Sequence, residues 1–260
     1  MTSDSLDFMP LWLLFVVICV FTGLGLEGGF RFGRQRLAHT DQEKPTAIGA
    51  MVGSLLALLA FVLAFTFGLA ANRFDARRQV VLDEANAIET TYRRAGLLSE
   101  PQRAEIVRLL REYVDVRVRG VQEVRLNEMA VRSTEIHGLL WTQATKAAER
   151  NPSPIVSLFI QSLNQMIELH AKRVQVGVRS RIPISIWAGL VGLAFLGMAS
   201  VGYQAGLSAT RRSPIMLALI LAFGGVLFLA ANLDRGYEGV LSVSQQAMID
   251  VQTTLNTGMP

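Results

Sequence analysis

Few residues in this chain have the types and spacing that catalysis or metal binding requires. The three histidines, His39, His137 and His170, are scattered, and neither their mutual spacing nor their spacing to the single cysteine, Cys19, fits a metal site. The sequence also lacks a phosphate-binding Gly-rich loop with its lysine, a Gly-x-Ser-x-Gly elbow and a His-Glu-x-x-His motif. We therefore predict that the protein is not an enzyme and uses no metal or cofactor.

One face of an uncharged segment indicates a different chemistry. Phe61, Phe65 and Leu69 are spaced four residues apart, so on a helix they share a face, and Asn72 follows them closely. A ring of such side chains from several subunits would form a hydrophobic constriction that gates ion flow by dewetting. The alternative, a face turned toward lipid or a neighbouring helix, is the commoner arrangement for aromatic residues at helical spacing.

Three basic residues follow this candidate gate. Arg73, Arg77 and Arg78 would raise the local concentration of anions at the mouth of a pore.

The end of the same segment is repeated near the C-terminus. Residues 69–72 read Leu-Ala-Ala-Asn, and so do residues 229–232, after which Asp234 and Arg235 follow. The repeat predicts a shared structural role for Asn72 and Asn232 at the ends of two spans. Chance similarity in a sequence rich in Ala and Leu is the alternative.

These residues lie in a chain that is poor in charge. Of its 260 residues, 51% are hydrophobic and 18% are charged, against about 25% charged residues in ordinary soluble domains. Four runs of 19, 28, 29 and 21 residues contain no Asp, Glu, Lys or Arg, and about 20 apolar residues suffice to cross a bilayer. The sequence therefore predicts an integral membrane protein with four spans, and it excludes the secreted, disordered and nucleic-acid-binding classes.

The predicted fold class is all-α, with two transmembrane hairpins that flank a helical extramembrane domain. Its segments are the first hairpin (1–72, spans at about 8–28 and 47–72), the extramembrane domain (73–181), the second hairpin (182–234, spans at about 183–207 and 214–233) and a C-terminal tail (235–260). The pairs Gly25/Gly29, Gly49/Gly53 and Gly202/Gly206 predict close packing between spans. No span carries an ionisable residue in its middle, which disfavours a proton-coupled carrier or an intramembrane protease.

The extramembrane domain holds 18 Lys/Arg and 13 Asp/Glu and repeats apolar residues with a helical period. One helix should continue from span two to about Gly96, and Ser153 should start another that continues into span three. The end of the C-terminal tail, from Met248, is expected to be frayed.

Basic residues leave the orientation open. Seven lie at the two ends of the extramembrane domain and six lie in the two short loops between spans. An excess of Lys and Arg normally marks the cytoplasmic loops, but the difference between these two counts is too small to show which side of the membrane is cytoplasmic.

Two stretches resemble the bacterial bestrophin-like family of membrane proteins. The first is 64–78, continuing through 84–88, and the second is 232–235 followed by 237–239 and 243–244. In the family pattern a proline follows the Asp-Arg pair, whereas Gly236 stands there in this sequence, which predicts a looser turn. The resemblance covers nearly the whole chain.

Bestrophins are pentameric anion channels with four spans, cytosolic termini and a helical cytosolic part, and their second span lines the pore with a neck of three bulky residues. The resemblance thus implies a homo-oligomeric, pentameric channel in the bacterial inner membrane, with its extramembrane domain in the cytoplasm and Phe61, Phe65 and Leu69 as the neck. Its partners would be the lipid bilayer and inorganic ions, without nucleic acid. The inserted domain is shorter than in bestrophins and shows no acidic calcium clasp, so calcium gating is not implied.

The alternative function is a non-conducting membrane scaffold or sensor that acts through its helical extramembrane domain.

Overall fold

The computed structural model describes residues 9–39, 45–122, 126–179, 181–208, 213–235 and 242–258. Within these ranges every regular element is helical. The helices are α1 (Leu11–His39), α2 (Pro45–Ala95), α3 (Gln102–Gln122), α4 (Leu126–Arg150), α5 (Pro154–Val174) with a π-helical turn at Gln175–Arg179, α6 (Ile184–Leu207), α7 (Pro214–Arg235) and α8 (Gln246–Thr257). The all-α fold class is confirmed, and α1, α2, α6 and α7 are each long and apolar enough to cross a membrane.

Helix ends follow local sequence signals. α2 ends at Ala95, directly before Gly96, as predicted. The side chain of Ser153 caps α5 by accepting a hydrogen bond from the backbone N–H of Val156 at 3.4 Å. The N–H of Ile215 likewise donates to the Ser213 hydroxyl at 3.3 Å, one residue before Pro214 opens α7.

Two expectations about where the chain is helical were wrong. α5 does not run into the third span, because its π-helical turn ends at Arg179 and residues 181–183 are not helical. Pro183 explains the break, since proline disfavours a helical conformation in the residue before it and lacks an N–H donor. The C-terminal tail is not frayed from Met248: α8 covers most of it.

The chain divides into two compact units. One unit comprises residues 1–73 and 181–241, and we call it the membrane unit. The other comprises residues 74–180 and 242–260, and we call it the extramembrane unit after the domain predicted from the sequence.

Close contact between α1 and α6 organises the membrane unit. A Cβ atom at Gly29 would overlap the backbone of Ala199, and one at Gly202 would overlap the backbone of Leu26. The two helices run in the same direction, because Gly33, one turn further along α1, meets a later residue of α6. Small residues let membrane helices approach this closely. The pair Gly49/Gly53 does not pack in this way, because a Cβ atom at Gly53 would meet no atom within 4 Å.

The other two helices of the membrane unit pack on this pair. α7 runs antiparallel to α1, since Cys19 of α1 faces Gly224 while the ring of Phe15 meets that of Phe228 at 5.7 Å. α2 contacts α6 where the side chain of Leu59 meets Gly197.

The extramembrane unit has an apolar core built by all of its helices. The core residues that are fully or almost fully buried come from α2, α3, α4, α5 and α8: Ile88, Ile106, Leu109, Leu110, Ile136, Leu140, Phe159, Leu163, Met248 and Leu255. Because α8 contributes Met248, Val251 and Leu255 to this core, the C-terminal segment is part of the domain rather than an appendage.

Candidate functional site

The aromatic face of α2 is uncovered within the membrane unit. Phe61 is 70% exposed and Phe65 is 64% exposed. Leu69 is half-buried and Asn72 is exposed. The opposite face of the helix is covered, and its buried residues include Leu59, Leu63, Thr66 and Ala70. The four residues of the candidate gate thus lie along one side of α2, and its own unit leaves Phe61, Phe65 and Asn72 exposed and covers Leu69 in part.

The three arginines after the candidate gate have different surroundings. Arg73 Nη1 lies 3.8 Å from an oxygen of Asp234, which offsets its charge. Arg77 is buried, and its Nε donates a hydrogen bond to the carbonyl of Val176 at 3.4 Å. Arg78 is exposed. Among the three, Arg78 has the side chain that is most accessible to a mobile ion in the protomer.

Asp234, at the end of α7, forms a polar junction in the membrane unit. Both carboxylate oxygens accept a hydrogen bond from the backbone N–H of Ile182, at 3.2 and 3.3 Å. Arg181 Nη1 donates to the backbone carbonyl of Asp234 at 3.5 Å. Together with Arg73, these contacts tie the end of α7 to the residues before α6 and to α2.

The neighbouring residues of the repeated motif are also used. Arg235 is buried and donates a 2.6 Å hydrogen bond to the carbonyl of Met9, which fixes the chain before α1. Asn232 is buried, whereas Asn72 is exposed. The two asparagines of the repeat therefore have different environments.

The extramembrane unit contains a buried charged cluster that the sequence analysis missed. Glu84 of α2 is fully buried, and its Oε2 accepts hydrogen bonds from Arg173 at 2.5 Å and from Arg117 at 2.9 Å. Its Oε1 accepts a 2.6 Å hydrogen bond from the hydroxyl of Tyr113. The hydroxyl oxygen of Tyr113 also lies 3.2 Å from Nδ1 of His170. One carboxylate thus joins α2, α3 and α5.

Two buried polar groups on α4 have no hydrogen-bond partner among the described residues. They are the hydroxyl of Ser133 and Nε2 of His137, one turn apart and both buried. The ring of His137 lies 4.9 Å from that of Tyr113 and 4.8 Å from that of His170. Since unpartnered buried polar groups are costly, these two are places where an ordered water would stabilise the domain.

The surroundings shift the pKa values of the cluster. Burial raises the pKa of Glu84, but the guanidinium groups of Arg117 and Arg173 and the hydrogen bonds to its carboxylate outweigh burial and bring the pKa to about 2. Burial lowers the pKa of His137 and of His170 to about 4. At neutral pH, Glu84 is therefore charged and both histidines are neutral.

A comparison with protein families identifies the chain. The family model described as the Bestrophin-like domain matches residues 14–248. The chain belongs to the bestrophin-like family. The family resemblance drawn from the two sequence stretches is confirmed.

Solved structures with the same fold agree with this assignment. A crystal structure of a bacterial bestrophin homologue from Klebsiella pneumoniae with a leucine-to-threonine mutation has a TM-score of 0.71 at 13% identity, covering 96% of this chain and 99% of that chain. A second variant of that homologue, with an isoleucine-to-threonine mutation, has a TM-score of 0.69 at 13% identity over 94% of this chain and 97% of that chain. A structure described as a membrane protein has a TM-score of 0.69 at 12% identity over 94% and 95% of the two chains. No curated protein matches the chain.

In this bestrophin-like protein, the described residues contain no group of three or more His, Cys, Asp or Glu side chains that could hold a metal ion. His137 and His170 lie side by side although they are distant in sequence. His170 takes part in the buried hydrogen-bonded cluster, and the ring of His137 packs against the rings of Tyr113 and His170. One sequence signal for that cluster exists. Glu84 occupies a position four residues after Val80 and four before Ile88, both buried, so it falls on the apolar face of its helix.

Proposed function

We propose that this bestrophin-like protein is an oligomeric ion channel that passes anions in preference to cations, with α2 lining the pore. The observation that carries the proposal is the exposure of Phe61 and Phe65 on a helix whose other side is packed. Two large aromatic side chains one turn apart, left uncovered by their own unit, need either lipid or another copy of α2 to cover them. Family membership favours the second choice.

A ring of these side chains would act as the gate. Phe61 and Phe65 would meet their copies around an axis and leave a narrow apolar passage, which excludes water until it widens. Leu69 would form the third layer, and Asn72 would supply amide groups at the passage end. Five copies is the number we propose, from the likeness to bestrophins.

The proposed preference for anions comes from the basic residues beyond the gate. Arg78 is exposed and would attract anions directly. Arg73, whose charge Asp234 offsets, and the buried Arg77, which contacts Val176, would contribute less to the positive potential. We place the protein in the bacterial inner membrane as a multi-pass protein whose extramembrane unit is cytoplasmic.

Ion flux from liposomes that contain the purified protein tests the proposal. We expect chloride efflux that exceeds potassium efflux, and a flux several-fold larger for Phe65→Ala, because the smaller side chain widens the constriction. Phe21→Ala is a matched control, since Phe21 is an exposed aromatic residue (41%) on α1 rather than on α2. Its flux should equal that of the unmodified protein.

The alternative function is a non-conducting membrane scaffold or sensor that acts through its extramembrane helices. Exposed apolar side chains on that unit, such as Leu97 at 66% and Leu158 at 49%, would suit contact with a partner protein. If the well-folded oligomer passes no chloride, potassium or sodium, and its Phe65→Ala variant passes none either, the channel proposal is wrong and the scaffold or sensor remains.

A further inference from the structure

The last turns of α1 form a basic segment that the proposed channel function does not use. α1 has 29 residues, about 43 Å at 1.5 Å per residue, whereas the hydrocarbon core of a bilayer is about 30 Å thick. The first charged residue of the helix is Glu27, and Arg31, Arg34 and Arg36 follow it. The segment 27–38 therefore extends from the hydrocarbon into the headgroup layer, and its three arginines and one glutamate give it a net charge of +2.

Two of these arginines lie over aromatic rings. Cζ of Arg34 is 5.9 Å from the centroid of the Phe30 ring, and Cζ of Arg36 is 5.6 Å from that of the Phe32 ring. Phe32 in turn stacks on Tyr203 of α6, with centroids 5.7 Å apart and an angle of 29° between the rings. A guanidinium that rests its face on an aromatic ring keeps its N–H edge available for a ligand.

The charges in the segment leave room for an anion. Glu27 is its one carboxylate and accepts a 2.8 Å hydrogen bond from Arg31. Arg34 and Arg36 are exposed and make no ion pair with any carboxylate in the part of the chain that the structure describes. Two positive charges thus remain at the surface without an acidic partner among the residues that the structure describes.

An apolar surface lies beside these charges. Phe32 is 52% exposed and Leu37 is 38% exposed. Aromatic residues at this depth favour the boundary between acyl chains and headgroups, and a planar guanidinium binds a phosphate through two parallel hydrogen bonds. A ligand that combines a phosphate with an acyl chain fits both features, whereas a free phosphate fits the charges alone.

We propose that the segment 27–38 of α1, with Arg34 and Arg36 as the phosphate-binding residues and the Phe32–Tyr203 stack as their platform, binds the headgroup of an anionic phospholipid. A zwitterionic lipid carries no net charge, so it gains little from the two arginines. The surface therefore selects anionic lipids from the bilayer around the protein.

A lipid titration of the full chain, purified in mild detergent, tests this proposal. Short-chain phosphatidylglycerol should raise the unfolding temperature in a saturable way, and short-chain phosphatidylcholine and inorganic phosphate should not. At about 1 kcal/mol for each arginine near an anionic surface, the double variant R34Q/R36Q should need about 30-fold more phosphatidylglycerol for half of the effect.

The matched control is R93Q/R119Q, which removes the same charge from two exposed arginines of the extramembrane unit. It should respond to phosphatidylglycerol like the unmodified protein. An unchanged response of R34Q/R36Q, an equal response to phosphatidylcholine, or a response reproduced by inorganic phosphate would each overturn the proposal.

Discussion

Arg173 donates a 2.5 Å hydrogen bond to the carboxylate of Glu84, which lies 89 residues earlier in the chain. Both side chains are buried, and the second Nη atom of Arg173 donates to the side-chain oxygen of Gln245 at 2.7 Å. A single arginine therefore connects α2 to the segment that leads into α8. The charged cluster around Glu84 joins parts of the extramembrane unit that are distant in sequence.

Replacing Glu84 should destabilise the extramembrane unit strongly. In Glu84→Gln the guanidinium groups of Arg117 and Arg173 keep their charge but lose the carboxylate, and breaking a buried ion pair in this way costs about 3–5 kcal/mol. Denaturant unfolding followed by far-UV circular dichroism would measure the loss.

A surface ion pair provides the control for this substitution. Glu89 pairs with Arg93 at 2.6 Å one turn further along α2, but the arginine side chain is 64% exposed. Exposed pairs contribute at most about 1 kcal/mol, so Glu89→Gln should change the unfolding free energy by less than that. Equal losses for the two variants would contradict the view that burial makes the Glu84 cluster important.

Acidification should weaken the extramembrane unit before Glu84 titrates. The pKa of His137 and of His170 is about 4 in the folded protein, below the ordinary value of 6.5. Between these values the unfolded chain binds more protons than the folded chain, so the free energy of unfolding falls as the pH falls from 6.5 to 4. The shift corresponds to at most about 3 kcal/mol for each histidine, and because the two rings lie 4.8 Å apart their contributions do not simply add.

The double variant H137Q/H170Q isolates this effect. Its unfolding free energy should change less between pH 7 and pH 4.5 than that of the unmodified protein, although it starts from a lower value. A further loss should appear in both proteins between pH 4.5 and pH 2, where the lowered pKa of Glu84 acts in the same direction. If the double variant retains the full dependence above pH 4.5, the histidines are not its source.

Much of the fold could be predicted from the sequence because its strongest signals are local. Uncharged runs marked the four apolar helices, and single residues such as Gly96 and Ser153 marked where helices end or begin. The break before α6 was missed because the apolar period of α5 points toward the third span, while Pro183 alone signals the interruption. α8 was missed because Met248, Val251 and Leu255 gain their burial from α3, a helix more than a hundred residues away.

The interior of the extramembrane unit was harder to predict than its helices. Glu84, Tyr113 and Arg173 lie on three helices, and no local pattern places them at one point. The residues proposed for the gate differ in this respect, since Phe61 and Phe65 lie four residues apart on one helix and their spacing alone places them on one face. Their role in conduction depends on further copies of the chain, so it stays a prediction.

Two adjacent glycines on α1 should respond differently to the same substitution. A Cβ atom at Gly29 would overlap the backbone of Ala199, whereas one at Gly28 would meet no atom within 4 Å. Gly29→Ala should therefore separate α1 from α6 and cost about 3 kcal/mol or more, because backbone cannot move aside as a side chain can. Gly28→Ala should be neutral or slightly stabilising, since alanine favours the helix. Thermal unfolding in detergent would compare them, and similar unfolding temperatures would contradict the observed packing of α1 on α6.

The junction at Asp234 should depend more on its backbone contact than on its ion pair. The carboxylate accepts the N–H of Ile182 at 3.2 Å and lies 3.8 Å from Arg73, whose side chain is 28% exposed. Asp234→Asn weakens both contacts and should cost about 2 kcal/mol, the range of a hydrogen bond to a charged group. Arg73→Gln removes only the longer, partly solvated pair and should cost about 1 kcal/mol or less.

Thermal unfolding of both variants, with Asp250→Asn as an exposed control on α8, would test this order. A larger loss for Arg73→Gln than for Asp234→Asn would show instead that the ion pair holds the junction.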